Sequence, residues 1–192
     1  AHVDENGVLT PRWWKGNEAL KGAPQLVATE YCTLHGLLPE DCRPLEDGLQ
    51  LTAVGGGLAV LPTHHDMVRG VVLEADLTLE RVNGALAGVG VFIESGRENI
   101  GTVIMAQSNG QLTVGGYNSR SFRPEDAKQL TTVPAQPQRW RVLVRDVFVE
   151  VYVDDVLVQC YTLNHTAGGR LGFVVEAAAA SISNLHLWAM SF

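Results

Sequence analysis

The chain has 192 residues, 46% hydrophobic and 18% charged, which is enough apolar content for one sizeable core and too much for a disordered chain. Its formal net charge of −7 and pI near 5.3 repel a phosphate backbone, so nucleic acid is not an expected partner. No apolar run approaches the roughly 18–20 residues that span a bilayer, so no membrane partner is expected either.

Residues 1–24 are rich in Gly, Pro and polar side chains and read as a strap or linker, with Trp13–Trp14 as its docking point. The opening AHVDENG is polar, lacks an initiating Met and reads as a cloning or processing boundary. From residue 25 to 192 the pattern is that of a single β domain. Strand candidates are 26–32, 48–54 and 58–62, with a short helical signal at Leu37–Asp41. His64-His65-Asp66 has the composition of a metal cluster. Adjacent side chains on an extended segment point to opposite faces, so a polar loop is the stronger reading.

Val71–Glu80 alternates Val71, Leu73, Ala75, Leu77 and Leu79 with Val72, Glu74, Asp76, Thr78 and Glu80, placing one set on a core face and the other toward solvent. Further candidates are 86–94, 100–107, 111–117 and 139–145, with a second helical signal at Pro124–Lys128. In Val147–Asp154 the residues Val147, Val149, Val151 and Val153 share one face, and Asp154–Asp155 reads as a tight hairpin turn into VLVQCYTL. The last candidates are 170–176 and 181–190. Turn signals fall at Val82-Asn83-Gly84, Glu94-Ser95-Gly96, Ser108-Asn109-Gly110 and Ala167-Gly168-Gly169. A dozen short strands with regular turns predict an all-β fold, a two-sheet antiparallel β-sandwich or jelly roll.

Three cysteines, Cys32, Cys42 and Cys160, cannot all pair within one chain. Cys32 and Cys42 bracket a short loop that a disulfide would close, and reduced thiols are the alternative. Val54-Gly55-Gly56-Gly57 lacks the Lys-Ser/Thr of a phosphate loop, and no Gly-x-Ser-x-Gly elbow is present. Glu74 with Asp76, and Glu150 with Tyr152, share strand faces, but no cleft is evident from the sequence and no catalytic role is assigned to them. No cofactor is expected beyond a structural calcium, for which Asp41, Glu46 and Asp47 are available beside the plainer reading as turn residues.

The richest polar segment is ESGRENIG, which sets Glu94, Arg97 and Glu98 in one loop, followed after another strand by Tyr117-Asn118-Ser119-Arg120. Sugars are held by bidentate charged groups on vicinal hydroxyls and by aromatic rings under C–H faces. A surface loop of salt bridges would use the same residues, and both readings stand at this point.

RWRVLVRDVFVEVYVDDVLVQCYTL and GRLGFVVEAAAASISNLHLWAM resemble the concanavalin-like β-sandwich at the C-terminus of family 32 glycoside hydrolases and the fructan-binding modules of carbohydrate-binding module family 66. Glu150–Val153, Gly169–Gly172 and Leu185–Met190 carry the likeness, and GVGVFIESGRENIGTVIMAQSNGQLTVGGY is similar to that group's central hairpin. The resemblance covers about residues 68–190. It implies an ancillary domain with no catalytic residues, a carbohydrate ligand such as levan or inulin, an adjacent catalytic domain in the parent chain and a secreted location. For the sugar pocket it points to Glu94, Arg97, Glu98, Tyr117 and Arg120, with Tyr152, Asp154 and Glu176 as further candidates. Two alternatives remain: a sandwich that only buttresses a catalytic domain, and a concanavalin-like glycan hydrolase.

Overall fold

The structure, a computed structural model, describes the chain except residues 1, 4–6, 8, 84–85, 98–99, 119–120 and 131–133, and except the side chain of residue 2. The described strands are β1 His2–Val3, β2 Leu9–Thr10, β3 Lys21–Pro24, β4 Thr33–His35, β5 Cys42–Leu45, β6 Gly48–Val60, β7 Val71–Val82, β8 Gly88–Ser95, β9 Ile100–Gln107, β10 Gln111–Asn118, β11 Phe122–Gln129, β12 Gln138–Arg145, β13 Phe148–Val153, β14 Val156–Thr162 and β15 Ala167–Met190. Every pairing between them is antiparallel.

Two long strands build the sandwich. The first half of β15 pairs with β8 on one side and with the end of β6 on the other; its second half pairs with β7 and the start of β6. Both strands change layers at a local irregularity. In β15 the register shifts between Glu176 and Ala178 around Ala177, whose φ is 45°. In β6 the corner is the Val54–Gly57 stretch, where Val54 is 91% exposed. Strands that switch sheets through bulges are how two layers are joined at a corner. One layer is β11-β10-β9-β8-β15-β6-β4, and the other is β14-β13-β12-β7-β15-β6-β5 with β3 alongside the end of β15.

The core between the layers follows the period of two. Val71, Leu73, Ala75, Leu77 and Leu79 of β7 and Val149, Val151 and Val153 of β13 meet Val89, Val91 and Ile93 of β8 and Leu171, Phe173 and Val175 of β15. Trp140, fully buried, sits in the same cluster. The Asp154–Asp155 hairpin has φ of 49° and 67°, the doubly left-handed geometry whose twist matches the flanking strands.

The all-β sandwich is as expected; several local expectations are not. Pro124–Lys128 is not helical but lies in edge strand β11, paired with β10, with Pro124 beside a register shift at Val114/Gly115 where its missing N–H is tolerated. Residues 26–32 contain a 3₁₀ turn at Thr29–Tyr31 rather than a strand. The candidates 48–54 and 58–62 are one strand, as are 170–176 and 181–190. Ala167-Gly168-Gly169 is part of β15 rather than a turn, Gly169 taking φ 104° within it. All three cysteines are free thiols, Cys32 and Cys42 half-buried and Cys160 exposed.

Candidate functional site

The predicted site residues divide between the two outer faces of the sandwich. Glu98 and Arg120 lie outside the described residues. Alternation puts Phe92 and Glu94 of β8 on the face of the first layer that points away from the main core, together with Val103, Met105, Tyr117, Val174, Leu58 and Val60. Those residues form a second apolar cluster. Phe92 and Tyr117 meet edge to face, with ring centroids 5.8 Å apart. Gly101 makes room for this packing, since a Cβ there would stand 2.7 Å from the Phe92 ring.

At the end of this cluster Glu94 is 3% exposed and is gripped by Arg170, whose Nε donates to Oε2 at 2.8 Å while its Nη2 donates to Oε1. The fork-on-carboxylate geometry is the strong, orientation-specific form of an ion pair. Arg97 is exposed in the turn that follows, its N–H directed at the Ser95 hydroxyl at 3.4 Å. Glu176 stands half-buried farther along β15, and burial pushes its carboxyl above the ordinary value of 4.5. Burial, and then the Glu176 charge, push the Tyr117 phenol up as well. Thus the structure brings Glu94, Tyr117 and Glu176 to one face and adds Arg170, which sequence reasoning missed. Arg170 lies within the quoted Gly169–Gly172 stretch, but nothing local marks it as the partner of Glu94, 76 positions away.

Tyr152 and Asp154 belong to the other outer face. Tyr152 donates to Glu150 Oε2 at 2.8 Å, and Trp13 packs edge-on against its ring with centroids 5.1 Å apart. Trp13 and Trp14 are therefore not an exposed pair: Trp13 is tucked in, while Trp14 is 72% exposed. Asp154 Oδ1 accepts the Arg139 N–H at 3.0 Å.

Beside them runs an open groove of about 370 Å³ lined by Lys21, Glu74, Asp76, Arg139, His186 and Trp188, with Asn184 and Ala75 completing it. Cross-strand register explains the set: Arg139 lies opposite Asp76, and Arg141 opposite Glu74, which has His186 on its other side. Glu74 accepts from Lys21 and Arg141, both at 2.8 Å. Arg141 also pairs with Asp155 and stacks on Trp13 at 4.7 Å; Lys21 sits 4.6 Å over the Trp188 ring. The two carboxylates Glu74 and Asp76 do sit at a cleft, which alternation alone did not indicate.

Among the described residues no group of three or more His, Cys, Asp or Glu side chains is placed to hold a metal ion. Asp41 Oδ2 accepts the Leu38 N–H at 2.9 Å and Asp47 Oδ2 accepts the N–H of Asn184 in β15 at 3.0 Å, so both carboxylates serve the backbone.

The arrangement of strands matches solved structures. The carbohydrate binding module CBM66 from Bacillus subtilis aligns with a TM-score of 0.65 and 16% identity, over 77% of this chain and 90% of that one. A protein of unknown function with a galectin-like fold, also from Bacillus subtilis, aligns at 0.61 and 11% identity over 88% and 97%. The Emp46p carbohydrate recognition domain in its potassium-bound form aligns at 0.59 and 12% identity over 84% and 89%. At these identities the likeness is one of fold. No family model matches the chain, and no curated protein matches it.

Proposed function

We propose that this domain binds carbohydrate without acting on it chemically, and that the sugar is held at the rim formed by the Glu94–Arg170 pair, Arg97, Tyr117 and Glu176, with Glu98 and Arg120 as further candidates from the sequence. The observation that carries this reading is the buried, bidentate Glu94–Arg170 pair on a face outside the main core. Taking two charges out of water costs more than their attraction returns in most settings, so such a pair is a poor device for stability. It is a good device for recognition, because the fork on the carboxylate fixes the orientation of both groups before a sugar arrives. The fold shared with a carbohydrate binding module and a carbohydrate recognition domain supports the same reading.

The ligand proposed is a fructan such as levan or inulin, and the setting is a secreted glycan-degrading protein in which this domain accompanies a catalytic one. Sugar hydroxyls exchange water bonds for protein bonds with little net gain, so a Kd between about 10 µM and 1 mM is expected. Titration calorimetry with levan, inulin and arabinan oligosaccharides tests it. Saturable heat that Arg97→Ala weakens supports the rim; no heat with any of them, and no retardation on glycan gels, rejects it. A reducing-sugar assay over the same panel should stay at background.

A second reading, a sandwich that buttresses a neighbouring domain, is favoured by one observation. A hollow of about 290 Å³ is lined by Leu20, Leu143, Phe148, Met190 and Phe192 together with Asn17, Arg145 and Glu150, and Phe148 is 64% and Phe192 77% exposed. If a neighbour covers it, Phe148→Ser should lower the melting temperature of the longer parent chain and leave the isolated domain unchanged.

A further inference from the structure

We infer that the groove between β7, β12 and the second half of β15 is a separate glycan-binding site, selective for uncharged sugars. It shares the ligand chemistry of the rim but none of its residues, and it lies on the opposite outer face of the sandwich.

Some polar groups of the groove are already committed to one another. Glu74 is held by Lys21 and Arg141, and Arg141 is further held by Asp155 and Trp13. This network forms a fixed wall, tied to the strap by Glu18, which accepts from Trp13 Nε1 and Lys21 Nζ, each at 2.7 Å. The groups facing it are less committed. Asp76 receives only the Asn184 side-chain amide, at 2.6 Å on Oδ2, leaving Oδ1 without a hydrogen bond among the described residues. The Arg139 guanidinium has no ion pair among them, and His186 is exposed. Trp188, half-buried, leans on His186 at 5.5 Å.

An acceptor carboxylate, a planar donor fork, an amide and an imidazole beside a half-buried tryptophan are what adjacent hydroxyls on a ring with C–H faces require. The charges decide the class. The groove's two acids, Glu74 and Asp76, are matched by two bases, Lys21 and Arg139, so a charged ligand gains no net attraction. A uronic acid or sulfate would also bring its charge against the open oxygen of Asp76. A volume of about 370 Å³ is at the small end for ligand sites and suits one or two sugar residues.

The test uses the whole chain, isotopically labelled, titrated with neutral oligosaccharides from fructans, arabinans, glucans, galactans, mannans and xylans, and with a uronic acid oligomer. The Trp188 indole N–H and the Asn184 amide report on the groove; the Arg170 Nε–H reports on the rim. Saturable shifts of the groove reporters with a neutral glycan, weakened about tenfold or more by Trp188→Ala and by Asp76→Asn, are expected. Asp76→Asn and His186→Ala are the milder pair should Trp188→Ala fail to fold. Groove shifts without rim shifts would uphold this site and reject the rim. The inference is overturned if no neutral glycan moves the groove reporters, if the uronic acid binds there more tightly, or if folded Asp76→Asn and His186→Ala bind like the unaltered chain.

Discussion

The two outer faces of the sandwich differ in how they handle charge, although one strand serves both. The first half of β15 carries Arg170 and Glu176 to the rim, where Glu94 is nearly sealed from water. Beyond the corner at Ala177 the same strand carries Asn184, His186 and Trp188 to an open groove. At the rim Glu94 is spent on Arg170; in the groove some charges are held and some face solvent. Burial thus makes the rim stiff and costly to disturb, and leaves the groove adaptable.

The largest effect expected is at the rim. Glu94→Ala removes the carboxylate on which the Arg170 guanidinium, side chain 14% exposed, is forked, and should cost about 3–5 kcal/mol in urea unfolding. Replacing both partners, as in Glu94→Leu with Arg170→Met, should recover most of that stability while abolishing sugar binding. If the double variant binds sugar normally, the pair is a structural feature only. Truncation of Trp13 to Ala removes its contacts with Tyr152 and Arg141 and should cost about 1–2 kcal/mol, with faster proteolysis within residues 12–24. Equal protease resistance would show that the strap is held without the indole, by β3 and by its backbone bonds to Asp155 and Leu157.

The pH response sharpens the contrast. Glu176 has its pKa raised by burial, so its contribution is present below its ordinary 4.5 and lost as pH rises through the folded value; Glu176→Gln should flatten that slope. His65 titrates with the opposite sign. It is about 9% exposed, neither ring nitrogen has a hydrogen-bond partner among the described residues, and burial, then the His64 charge, depress its pKa. Its contribution is present above the ordinary 6.5 and lost as pH falls toward the folded value, so melting temperature should decline below about pH 6.5 and His65→Gln should lessen the decline. The smallest effect is expected at Asn184, whose φ of 49° and bond to Asp76 favour Asn; Asn184→Ala should cost about 1 kcal/mol.

Much of the fold was legible in the chain. The alternation in Val71–Glu80 and Val147–Asp154 named the core faces of β7 and β13, because a period of two is a local property. The helical signal at Pro124–Lys128 misled because five exposed residues on an edge, three of them charged, carry no apolar period, and pairing with β10 decided their state. Of the predicted rim, the structure brings Glu94, Tyr117 and Glu176 to one face, and Arg97 follows in the adjoining turn. Tyr152 and Asp154 lie across the sandwich, because outward residues of the two layers look alike in sequence.

Alternation, turn chemistry and apolar content determined that this chain is a β-sandwich and which residues of its strongest strands face inward, since each depends on neighbours along the chain. Which carboxylate meets which guanidinium was decided only by tertiary structure. Glu94 with Arg170 and Glu74 with Arg141 are joined across 76 and 67 positions by the register of β8 on β15 and of β7 on β12. A corner built from glycine and a left-handed alanine carries β6 and β15 between the layers, and so between the sealed face and the open one.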